Sequence, residues 1–79
     1  MKLKILEADD LFYLTLSEEP VAKSKIVQDD FNYDFNAQGD VIGVEVINAR
    51  FWFGDLASLT PEKILSKLLS LQSPVASAA

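Results

Sequence analysis

Phe31-Asn32-Tyr33-Asp34-Phe35, then Asn36-Ala37-Gln38-Gly39-Asp40, then Val41-Ile42-Gly43-Val44-Glu45-Val46-Ile47, is the stretch whose periodicity decides the fold. In the first segment three aromatics alternate with polar residues, the two-residue period of a strand with one face buried. The second carries turn chemistry. Gly39 can take the positive φ that a hairpin demands, so a valine there is expected to cost on the order of 1 kcal/mol or more. The third is apolar on both faces apart from Glu45, as an interior strand is. Two strands joined by so short a turn must be antiparallel neighbours.

Working toward the N-terminus, Val21 to Gln28 reads as a weaker strand, and its alternating Lys23 and Lys25 suit a sheet edge. Three closely spaced strands imply an antiparallel meander. Leu11 to Leu16 predicts another strand, with Phe12, Leu14 and Leu16 on one face and Leu11, Tyr13 and Thr15 on the other; both faces are largely apolar, so an interior position is expected. Leu3 to Leu6 is a short first strand. Toward the C-terminus, Thr60-Pro61-Glu62 opens a helix with an N-cap, a proline at the first helical position and an acid near the positive end of the dipole. Ile64, Leu65, Leu68, Leu69 and Leu71 share one face of that helix, which must lie on the sheet. The expected fold class is α+β: a small antiparallel meander sheet of four to five strands with one C-terminal helix packed on one face. Residues 1–72 form a single globular domain in this reading, and the small-residue tail 73–79 is expected to be disordered.

Composition narrows what such a domain can do. A chain of 79 residues supports one hydrophobic core, and 49% hydrophobic against 24% charged residues places it with folded proteins. Cysteine and histidine are both absent, which removes disulfides, thiolate nucleophiles, histidine bases and structural zinc sites of the usual kind. No metal and no cofactor is implied. Near the N-terminus, Glu7, Asp9 and Asp10 interrupt the apolar run before an export signal could form, and Val41 to Ile47 is too short to span a bilayer; a cytoplasmic location is expected. Seven basic against twelve acidic residues give a net charge of −5, a field that repels nucleic acid and attracts basic partners.

Several residues invite a functional reading. Asp34, Asn36, Gln38, Gly39, Asp40, Val41 and Glu45 fall at the spacing of a calcium loop. That loop needs flanking helices, however, and an extended strand carries Glu45 too far from the turn to close on an ion. Glu45 shares a face with Val41, Gly43 and Ile47 in this reading, and with Asp10 and Tyr13 it makes a candidate ligand pocket on the open side of the sheet. The three glycines form no phosphate-cradling loop. Arg50-Phe51-Trp52-Phe53 offers aromatics to close the core or to meet a partner, with Trp52 pointing away from Phe51 and Phe53 if the segment is extended. Glu18, Glu19, Asp29 and Asp30 lie in turns, where their charge can steer a partner without holding the fold.

Two segments resemble bacterial domain-of-unknown-function family 2283, over about residues 10–50. Asp10-Leu11-Phe12-Tyr13-Leu14-Thr15-Leu16-Ser17 is similar to the family's opening pattern, an Asp, then Leu-Tyr-Ile, then Leu-Ser. Gly39 through Ala49 is similar to its second, built on Val-Val-Gly-Ile-Glu-Ile-Leu. Ile5-Leu6 and Phe35-Asn36 stand where such sequences often carry Tyr-Asp. The resemblance implies a small sheet with a helix, no established activity, and frequent company beside toxin-like proteins. Together these observations lead to the expectation of a non-enzymatic interaction module, an antitoxin-like neutraliser of a small basic protein, itself a homodimer through Leu11, Tyr13, Val41 and Ile47. The competing expectation is a small-molecule-binding protein or minor enzyme using Asp10, Tyr13 and Glu45.

Overall fold

Five strands form in the order of the hydrophobic alternation: β1 (Lys2–Leu6), β2 (Leu11–Thr15), β3 (Lys23–Val27), β4 (Phe31–Phe35) and β5 (Val41–Ile47). They are followed by a short helix, α1 (Ala49–Phe53), and a longer one, α2 (Pro61–Ser70). The computed structural model describes residues 1–71, and the expectation for the tail 73–79 falls outside them. Every strand pair is antiparallel, in the order β1-β2-β5-β4-β3. The β3–β4–β5 run is the expected meander. β5, last in sequence, is the centre of the sheet, and the β1–β2 hairpin pairs onto its other side. The edges are β1 and β3, the latter as its lysines suggested.

The α+β architecture expected from the sequence is the one found. Phe12 and Leu14 of β2, Phe31 and Tyr33 of β4, and Val44 and Val46 of β5 all lie on one face and are at most 2% exposed. Ile64 and Leu68 of α2, Ala49 of α1 and Leu56 of the turn between the helices close over them in one cluster. Thr60 caps α2 by accepting from the Lys63 amide at 3.2 Å, with Pro61 and Glu62 in the first turn. Gly39 has φ of +87° in the β4–β5 turn, where Asn36 Oδ1 accepts from the Gln38 and Asp40 amides at 3.0 and 2.9 Å.

Two local expectations need correction. Val41 does not share the open face with Gly43, Glu45 and Ile47. A bulge opposite Asp34 and Phe35 inserts one residue into β5, so Val41 pairs with Phe35 and packs against the covered side. The extra residue, Ile42, accepts at its carbonyl from the Leu16 and Ser17 amides, at 2.8 and 3.1 Å. Residues 51–53, for their part, are helical rather than extended. Asp10 builds that helix: its carbonyl accepts from the Ala49 amide and its carboxylate from the Arg50 amide, both at 2.9 Å. Trp52 and Phe53 pack inward as edge-on partners of Phe31 and Phe12, and Phe51 points outward.

Candidate functional site

Strand alternation sends the residues between the core positions to the opposite, open face. Pairing puts them in rows across the sheet. Lys4, Tyr13, Glu45, Asn32 and Ile26 form one row; Lys2, Thr15, Gly43, Asp34 and Ser24 form the next; Leu6, Leu11 and Ile47 form a third at one end. Ile26 is 67% exposed and Ile47 42%.

Tyr13 leaves its own row. Its ring lies across Gly43, and its hydroxyl donates to Asp34 Oδ2 at 2.5 Å on the far side of β5. Ser24 of the edge strand donates to the other carboxylate oxygen, Oδ1, also at 2.5 Å. One carboxylate thus ties β2, β4 and β3 together over the central strand. A Cβ on Gly43 would collide with the Tyr13 hydroxyl and stand 2.8 Å from Cζ, so only glycine leaves room for the ring. Burial, first, and then the hydrogen bond and charge of Asp34 and the charge of Glu45 push the Tyr13 phenol up to about 12. At neutral pH it is a hydrogen-bond donor.

Of the expected pocket residues, Tyr13 and Glu45 are directly opposed on neighbouring strands. Asp10 stands apart: its carboxylate faces Arg50, with Oδ1 3.3 Å from the guanidinium, and is committed to the start of α1. Surface depressions of about 460, 280 and 290 Å³ are lined by the polar side of α2, by Met1, Lys2 and residues 15–18, and by residues 19–22 with 36–38. Tyr13, Asp34 and Glu45 line none of these. The calcium-loop spacing corresponds to the β4–β5 hairpin, and no group of three potential metal ligands occurs among the described residues.

A family model described as a protein of unknown function, DUF2283, matches residues 3–50. The chain belongs to DUF2283. The match reaches further toward the N-terminus than the two motifs alone and spans nearly all of the sheet. Tyr13, Ser24, Asp34, Gly43 and Glu45 therefore lie within the DUF2283 region, whereas Phe51, Trp52 and α2 lie beyond it. No curated protein and no solved structure matches the chain.

The acids expected to meet a partner divide between the two ends of the sheet. Glu18 pairs with Lys2 at 3.0 Å, and Glu19 accepts from Ser17 at 2.9 Å and from the Asn36 amide group at 3.1 Å. At the other end Asp30 accepts from the Trp52 indole at 2.7 Å, with Asp29 beside it in the β3–β4 turn. Phe51 stacks edge-on against Trp52 at 5.2 Å and is 75% exposed. Sequence reasoning missed Asp34 and Ser24 as partners of Tyr13. The signal was Gly43, an interior strand glycine, which marks a close approach by some other group.

Proposed function

We propose that this DUF2283 chain is a non-enzymatic protein-interaction module that holds a small, basic protein at the α1 end of the sheet. The observation that carries the reading is Phe51, a phenyl group 75% exposed on a helix whose neighbouring Trp52 is fixed to Asp30. A rigid aromatic anchor beside carboxylates has the anatomy of an interface hot spot, and the net charge of −5 favours encounter with a cationic partner. Such a partner would be held inactive while its basic surface is covered.

The test is kinetic. With a cognate partner in hand, Phe51→Ser is expected to weaken binding about tenfold or more, mainly through faster dissociation. Neutralising Glu18, Glu19, Asp29 and Asp30 with Asn or Gln is expected to slow association and to flatten its salt dependence. The amides keep an acceptor oxygen for Trp52 and Asn36, so the fold should survive. An association rate indifferent to both salt and these substitutions would remove electrostatic capture as the mechanism.

A further inference from the structure

Phe51 and the carboxylate of Asp30 stand one indole apart. The Phe51 ring meets Trp52 edge-on, with centroids 5.2 Å apart, and the Trp52 Nε1–H donates to Asp30 Oδ2 at 2.7 Å. Among the described residues the second oxygen, Asp30 Oδ1, accepts no hydrogen bond, and neither Asp30 nor the exposed Asp29 makes an ion pair. The cation that α1 itself carries is committed elsewhere: the Arg50 guanidinium lies 3.3 Å from Asp10 Oδ1 and donates to the Glu7 carbonyl at 3.2 Å. An exposed aromatic ring and an unneutralised carboxylate are thus presented together. Building on the reading of this end as a binding surface, we infer that the group it takes from the basic partner is an arginine side chain. The arginine lies on the Phe51 ring with its guanidinium turned to Asp30 Oδ1.

Charge and shape select that group over the alternatives. A purely apolar anchor would take water from Asp30 and return no counter-charge, and an acidic one would be repelled. Among cations, the guanidinium is flat and weakly hydrated, so it can stack on a ring while donating N–H groups in its own plane to a carboxylate. The lysine ammonium is compact and strongly hydrated, and it gives up water at the ring without gaining a second directed bond. The acceptor is also set in advance. Trp52 packs edge-on against Phe31 of the core at 5.0 Å and orients the carboxylate through its indole, while the Asp30 carbonyl accepts from the Ile47 amide at 2.9 Å. Little of the Asp30 side chain is left to be ordered when the arginine arrives.

Trp52 is the chain's one tryptophan, so its fluorescence reports on this site alone. The experiment titrates the full chain, at constant ionic strength, with a blocked Gly-Arg-Gly peptide and in parallel with Gly-Lys-Gly and Gly-citrulline-Gly. The arginine peptide is expected to give a saturable change with a millimolar Kd, at least about threefold tighter than the lysine peptide, and the uncharged citrulline peptide none. Phe51→Ser and Asp30→Asn are each expected to weaken the arginine peptide about fivefold or more; the asparagine keeps an acceptor oxygen for the indole, and circular dichroism establishes that both are folded. Asp40→Asn removes the same charge in the β4–β5 turn, at the opposite end of the sheet, and is expected to change binding by less than about twofold. No saturable change, equal responses to arginine and lysine, or an Asp40→Asn effect as large as that of Asp30→Asn overturns the inference. No partner protein enters this measurement, so the two readings fail separately. A partner that dissociates faster from Phe51→Ser, without any arginine preference at Trp52, defeats this inference and leaves the binding end standing.

Discussion

The two faces of the sheet are made by alternate residues of the same strands and are held by different physics. On the covered face, Phe12, Leu14, Tyr33, Val44 and Val46 are at most 1% exposed, and cohesion comes from removal of apolar surface from water. On the open face, residues one step along hold the sheet through directed bonds to one carboxylate, Asp34, reached from Tyr13 and Ser24. The lesson is one of tolerance. A packed face responds to lost volume, whereas this open face responds to added volume, because Gly43 must stay empty for Tyr13 to cross.

The largest expected effect falls on the packed face. Phe12→Ala deletes a ring that touches Phe53 at 5.1 Å in a site with no exposure, and is expected to destabilise the domain by about 3–5 kcal/mol in denaturant titration. A loss under about 1 kcal/mol would mean that the two faces do not differ as described. Next is Gly43→Ala, which must expel the Tyr13 ring and break its bond to Asp34. A cost of about 2 kcal/mol is expected, and Tyr13→Ala in the same chain should abolish most of it, because the clash then has no partner.

Tyr13→Phe keeps the ring and removes the bond, at an expected cost of about 1 kcal/mol at pH 7. The same change sharpens the comparison by pH. A phenol pushed from 10.0 up to about 12 in the folded state keeps its proton there after the unfolded chain has lost it. Its contribution is thus complete below pH 10.0 and is lost as pH rises toward about 12. Since the phenol is only partly buried, screening by solvent reduces this to on the order of 1 kcal/mol. Alkaline melting curves of wild type and Tyr13→Phe should converge across that window. The smallest effect is expected for Phe51→Ser, whose exposed ring should change stability by no more than about 0.5 kcal/mol, as read from the melting temperature.

What was legible in the sequence was whatever local periodicity encodes. The aromatics of β4 named their buried face, Lys23 and Lys25 named an edge, and Thr60-Pro61-Glu62 named the start of α2. The bulge at Ile42 left no trace, because an extra residue in an apolar strand looks like one more apolar residue. α1 was hidden for another reason: its first turn is secured by Asp10, forty residues earlier, so no local cap announces it. Tyr13 and Glu45 could be named as facing outward, but their surroundings depend on which strands adjoin, and pairing of β2 with β5 is a long-range choice. Asp34, twenty-one residues from Tyr13, became visible only through that choice.

The central position of β5 also dictates when the sheet can exist. Leu11 waits for Ile47 and Thr15 for Gly43, so the β2–β5 ladder closes a long loop, while β1–β2, β3–β4 and β4–β5 close short ones. Loop-closure entropy favours the three hairpins as early events and the docking of β2 onto β5 as the late one. Residues 1–40 hold four of the five strands and no middle, and their apolar faces are sealed only when β5 joins them and Ala49, Leu56, Ile64 and Leu68 close over the sheet.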